Sequence, residues 1–278
     1  MNGFLSSCLV ACLLALMPLR LAAQETPLVI GILPTLSPRV LLGNYQPLRT
    51  YLEKTLQRPV EMVTAKSFSA FHKSTMAGDY DIVVTAAHMA RVAEVEGAYV
   101  PLATYKSINR TMLMTSSASP LRSISDLRGH TIATLDRAAL ITSQTLLWLK
   151  EQGLQENTDY RLLETSSHNS AAYSVLSGES VLAIISPPGW TMMPENMRNS
   201  LKLLTNLPAL PSLMWLANPR MIPERASLRS ALLDFSPDLP EGKQFFNATG
   251  YQGMREITSQ EMKSLDPYIP YLKQHLGQ

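Results

Sequence analysis

Leu28-Val29-Ile30-Gly31-Ile32-Leu33, followed by Pro34-Thr35, is the stretch on which the fold turns. An unbroken apolar run rich in β-branched residues, closed by a proline, predicts a strand buried on both faces. A strand of that kind belongs to a sheet covered by helices. The chain beyond it agrees. Asn44 is placed to cap a helix with Pro47 in its first turn and Leu48, Leu52 and Leu56 as its apolar stripe. Pro59 ends that helix, and 60–63 reads as a second strand. A short helix over 67–77 stops at Gly78, a third strand covers 81–84, and a helix over 86–95 stops at Gly97. Residues 99–105 and 111–115 read as further strands.

The alternation restarts after the turn Asp126-Leu127-Arg128-Gly129. Strands are expected at 131–135, 160–164 and 181–185, with helices at 138–152 and 169–176. A strand at 213–216 and a helix at 223–235 follow the proline-rich connector Leu207-Pro208-Ala209-Leu210-Pro211. Two strand–helix sets predict an α/β protein of two lobes, each a mostly parallel sheet flanked by helices. Crossovers are expected near 115–120 and 206–212. Lobe 1 would then combine 27–116 with 212–278, and lobe 2 would be 117–211.

Residues 1–23 stand apart. The run from Phe4 to Leu19 is almost wholly apolar and uncharged, and Leu21-Ala22-Ala23 is a small-residue ending before polar Gln24. This reads as a secretory signal peptide cleaved after Ala23, so that the mature protein is expected to be exported. Both cysteines, Cys8 and Cys12, lie inside it, so the mature chain is expected to hold no disulfide and no thiolate chemistry. The remainder is of globular composition, with 46% hydrophobic and 17% charged residues overall. A formal charge of +2, without long like-charge runs, gives no footprint for nucleic acid.

Several short motifs in fixed order resemble one family. Leu28 to Thr35, then Asn44-Tyr45-Gln46-Pro47-Leu48 and Tyr51-Leu52, look like the opening of the phosphonate-type (PhnD-like) periplasmic binding proteins. Gly78-Asp79-Tyr80-Asp81, Asp126 to Gly129 with Thr131-Ile132-Ala133, and Ser167-His168 with Leu176-Ser177-Gly178-Glu179 are similar to its later landmarks. The segment from Leu207 to Gly250 is similar to its return. The resemblance implies a type II periplasmic binding fold with a ligand held between two lobes. It also implies a periplasmic component of an ABC-type importer for a small phosphonate- or oxyanion-like ligand, or alternatively a ligand-sensing partner of a histidine kinase. The expected partners are therefore the ligand and an inner-membrane permease or sensor kinase. The protein is expected to be a monomer, without cofactor or metal.

Clefts of α/β sheets open at the carboxyl ends of strands, where helix N-termini present free N–H groups. Three loops meet that rule and supply the candidate ligand-binding residues. Tyr45 offers a ring and a hydroxyl, and the family uses a tyrosine in this segment. Thr85 and His88 follow the third strand. His168, in Ser166-Ser167-His168-Asn169, matches a family element that contacts ligand. Trp190, after Ser186-Pro187-Pro188-Gly189, is a candidate cleft wall, whereas Trp148 and Trp215 read as packing and His72, His130 and His275 show no constellation.

Two departures bear on the ligand. The family's hydroxyl-rich turn, which wraps phosphonate oxygens, is replaced by Asp136-Arg137-Ala138-Ala139-Leu140-Ile141, leaving Arg137 as a charged substitute. The acidic residue that suits an amine-bearing phosphonate is matched by Ser186, so aminoethylphosphonate is not expected to bind tightly. Catalytic motifs are missing. There is no zinc-binding His-Glu-x-x-His helix, no Gly-x-Ser-x-Gly elbow, and Gly242-Lys243 lacks the earlier glycine of a phosphate loop. The expectation is a binding protein, not an enzyme.

Overall fold

The computed structural model describes residues 26–276; the expected signal peptide lies outside the described residues. The chain runs β1 (Leu28–Ile32), α1 (Pro38–Leu56), β2 (Val60–Thr64), α2 (Phe68–Ala77), β3 (Ile82–Thr85), α3 (Ala87–Gly97) and β4 (Val100–Tyr105). A two-residue strand, β5 (Ile108–Asn109), leads to β6 (Met112–Ser116), β7 (His130–Thr134), α4 (Leu140–Glu151), β8 (Tyr160–Glu164), α5 (His168–Leu176) and β9 (Leu182–Ile185). Two one-turn helices, α6 (Pro187–Thr191) and α7 (Glu195–Asn199), precede β10 (Leu201–Asn206), β11 (Leu210–Pro211) and β12 (Met214–Ala217). The chain closes with α8 (Arg225–Asp234), α9 (Pro240–Thr249), β13 (Met254–Arg255), α10 (Ser259–Lys263) and α11 (Ile269–Leu276).

These elements form two sheets. The first has the order β13-β4-β12-β3-β1-β2, the second β10-β6-β9-β7-β8. Each is mixed, which corrects the expectation of mostly parallel sheets. In the first, β1 pairs parallel with β2 and β3, while β12 runs antiparallel to both β3 and β4. In the second, β7 pairs parallel with β8 and β9, and β6 runs antiparallel to β9 and β10. The physical reason is the return of the chain. A strand that re-enters a sheet from the other half, with no crossover helix, pairs antiparallel.

The crossover positions also shift. β6 pairs wholly within the second sheet, so the first crossing lies at 106–111, before the expected 115–120. There β5 pairs antiparallel with β11, Leu210 opposite Asn109 and Pro211 opposite Ile108, which ties the two crossings together. α1 is longer than expected. Pro38, where a missing N–H costs nothing, opens the helix after Ser37, and Asn44 and Pro47 fall inside it.

β1 shows why the opening stretch decides the fold. Leu28, Ile30 and Ile32 enter one core cluster with Leu48, Leu52 and Trp215. Val29 and Leu33 join the cluster on the opposite face, with Phe71, Val83 and Ala90. Between them Gly31 lets the Tyr80 ring lie on the backbone, for a Cβ at Gly31 would stand 2.5 Å from Tyr80 Cδ2. Tyr80 is held there by Phe71, stacked at 5.4 Å. Gly31→Ala should therefore lower stability by about 1–3 kcal/mol, the usual cost of overpacking. Urea denaturation at neutral pH measures it, and an unchanged midpoint would contradict this packing.

Candidate functional site

Between the two sheets, in front of the β5–β11 bridge, lies a cleft of about 1010 Å³. Helices from both halves turn their first residues toward it. Ser67 and Phe68 begin α2, Ala86 and Ala87 begin α3, Ala139 to Ile141 begin α4, and Ser167 and His168 begin α5. The first N–H groups of a helix have no intrahelical acceptor, and they carry its positive dipole end. Ser67 Oγ accepts from Ala70 N–H and Ser167 Oγ from Ser170 N–H, both at 3.1 Å. These caps use one N–H each and leave the earlier ones without an intrahelical acceptor. The charged lining is balanced, with Lys66 and Lys106 against Asp136 and Glu164.

Two of the five sequence-derived candidates line the cleft. Tyr45, on α1, packs edge-on to Phe245 at 5.2 Å, and its hydroxyl lies 3.2 Å from that of Tyr105. Burial raises both phenols well above the ordinary tyrosine value, so they remain neutral donors. His168, at the start of α5, places Nε2 2.9 Å from Ser186 Oγ, which also accepts from Gly189 N–H. Burial pushes the His168 pKa down to about 4, and its Nδ1 is buried without a hydrogen-bond partner. The imidazole is neutral at neutral pH.

The other three stand beside the cleft. Thr85 is buried in β3 opposite Met214, and its hydroxyl has no hydrogen-bond partner. His88 is fully buried and turns away from the cleft, its Nε2–H donating to the Ala138 carbonyl at 2.9 Å. That bond joins α3, which packs on the first sheet, to the loop before α4 of the second half. Its Nδ1 is buried without a partner, and burial is the chief cause that pushes its pKa down to about 4. Arg137 binds Glu156 through both terminal nitrogens, at 3.1 and 2.7 Å, and Glu164 through Nε at 2.9 Å. Those two carboxylates raise its pKa further and occupy its donors. Trp190 turns into the core of the second half, not onto the cleft wall.

Reading the sequence missed Lys66, Lys106, Leu213 and Tyr251, all of which line the cleft. Lys66-Ser67 follows β2, so the strand-end rule applied to it as well. Tyr251 gave no such signal. Its ring stacks on Tyr105, centroids 3.9 Å apart and 6° from parallel. Among the described residues no group of His, Cys, Asp and Glu is placed to hold a metal ion, and no helix is long and apolar enough to cross a membrane.

Two mixed α/β sheets joined by paired crossing strands, with a cleft fed by helix N-termini, define a type II periplasmic binding protein. The family model of the ABC transporter phosphonate periplasmic substrate-binding proteins matches residues 30–262, and the chain belongs to that family. It is a family of binding proteins, not of enzymes. Solved structures share the fold. PhnD1 from Prochlorococcus marinus, in complex with methylphosphonate, is 14% identical with a TM-score of 0.78, covering 89% of this chain and 98% of its own. XAC2383 from Xanthomonas citri bound to ATP is 18% identical with a TM-score of 0.76, covering 90% and 99%. A binding protein component of an ABC phosphonate transporter from Pseudomonas aeruginosa is 14% identical with a TM-score of 0.72, covering 91% and 99%.

Proposed function

We propose that this protein captures a small anion between two closing lobes in the periplasm and delivers it to an inner-membrane permease. The lobes in this reading are 26–107 with 212–276, and 110–208, hinged at the β5–β11 pair. The observation that carries it is the convergence of helix N-termini from both halves on one cleft, which is a site for negative charge. The solved relatives bound to methylphosphonate and to ATP hold phosphorus oxyanions in the same fold. Export through a cleaved signal peptide at 1–23 fits the periplasmic family. Tyr45 and His168 are the ligand contacts proposed from the sequence that also line the cleft. His88 and Arg137 act at one remove, on closure and on the shape of the second lobe.

Calorimetry on residues 24–278 with methylphosphonate, phosphate and methanesulfonate tests this. At least one should bind, and saturation at 100-fold over Kd should raise stability by about 2.7 kcal/mol. No binding of any organic or inorganic anion would overturn the proposal. 2-Aminoethylphosphonate should bind at least about tenfold more weakly than its uncharged-tail counterpart ethylphosphonate. The Ser186 hydroxyl is engaged with His168 and Gly189 and offers an ammonium no countercharge. Equal affinities would show that Asp136 or Glu164 serves the amine instead.

A further inference from the structure

We propose that the hinge side of this cleft is an apolar subsite, and that the ligand is an organic anion with a hydrocarbon tail, not a bare oxyanion or a one-carbon phosphonate. This rests on the anion reading above and names the class of anion.

The cleft's size is the first argument. About 1010 Å³ lies at the upper end of pockets that enclose drug-sized ligands. A one-carbon anion seated at the helix N-termini would leave most of that space to water.

The walls are the second argument. Ile108 on β5 and Met192 after α6 are large apolar side chains, 49% and 46% exposed, and both line this concave surface. Leu36, Leu213 and Tyr251 also line it. All three are half-buried and pack against the one core cluster that contains Tyr45. Large apolar groups left open to water within a cleft mark a surface that a ligand covers. They come from the hinge strand, from the second half and from three separate segments of the first. A ligand tail placed among them would be enclosed as the lobes meet.

Charge is the third argument. Lys66 and Lys106 are solvent-exposed, Asp136 and Glu164 oppose them in the same cleft, and Arg137 is committed to Glu156 and Glu164. Ala139, Leu140 and Ile141, which open α4 on the cleft, carry no side-chain donor for a tetrahedral ion. Backbone N–H groups still orient an anionic head. Burying a tail against the apolar wall then adds to the hold on the head, and is worth about fourfold in Kd for each fully covered methylene.

Calorimetry with methyl-, ethyl-, propyl- and butylphosphonate reads this directly. Affinity should rise by about threefold to fourfold per added carbon. Met192→Gln, an exposed position that folding tolerates, should reduce that slope, and Leu213→Gln should reduce it independently. A flat or falling series, with methylphosphonate itself bound, would overturn the subsite and leave the anion reading standing. A slope unchanged in both variants would also overturn it. If no member of the series bound, nor methanesulfonate or phosphate, the anion reading would fail as well.

Discussion

Acidification from pH 7 to about pH 4 should remove several kcal/mol of stability, with the loss beginning above the range in which ordinary carboxylates titrate. His88 and His168 are the source. Burial is the first cause in each, and it pushes each pKa from the ordinary value of 6.5 to about 4. Between those two pH values the unfolded chain takes up protons that the folded chain refuses. Stability is therefore complete above about pH 6.5 and falls as pH drops through the window to 4, by about 3 kcal/mol per histidine. Urea denaturation at intervals from pH 7 to 4 measures the slope. His88→Gln and His168→Gln should each remove about half of it. His275, whose pKa burial also lowers, adds a smaller share because it is more open to solvent. A midpoint that does not move between pH 7 and 4.5 would refute the burial of both imidazoles.

A single methyl group at position 189 should cost as much in ligand affinity as the loss of a ligand contact. The His168 ring lies directly against the Gly189 backbone, and a Cβ there would overlap the ring at Cδ2, Cγ and Nε2. α6 follows Ser186 with two prolines, so the backbone has little freedom to yield. In Gly189→Ala the ring must leave, and with it the bond to Ser186. Affinity for the best-bound anion should fall by about tenfold to a hundredfold, as one to two hydrogen bonds are worth. A mutant cycle separates this from general damage. In the His168→Ala background the added methyl meets open space, and Gly189→Ala should then change affinity by less than about twofold. Full additivity of the two substitutions would show that the methyl acts on something other than the ring.

How far the amino-acid sequence foretells this molecule depends on how local the cause is. The double-sided burial of β1 is written in six consecutive residues, and the restart of alternation after Gly129 announces the second sheet. The direction in which β6 pairs is not local. Its partners Leu182–Ile185 and Leu201–Asn206 lie far downstream, so 111–115 looks like a continuation of the first sheet. Site residues divide in the same way. The strand-end rule finds the right loops, but not the way the side chains turn. His88 sits where a helix begins, yet its ring is drawn to a carbonyl fifty positions along the chain. Arg137 resembles an anion hook until Glu156 and Glu164 arrive from 19 and 27 residues away. α10, five residues long, carries too few turns to show a periodic stripe, although it opens with a complete capping box at Thr258 and Glu261.

The bond from His88 to the Ala138 carbonyl is made by the protein alone, yet it weighs on how tightly any ligand is held. Under the proposed closure of the two lobes, a bond between the halves favours the shut arrangement, and so it sets in part the fraction of empty molecules already shut. Observed affinity is the affinity of the competent state multiplied by its population. While shut molecules are a minority, each such contact tightens binding by its full weight and slows release to match. Once they are the majority, a further contact gives the ligand nothing. In the proposed transport role it then only lets empty molecules present the shut surface to a permease, where they compete with loaded ones.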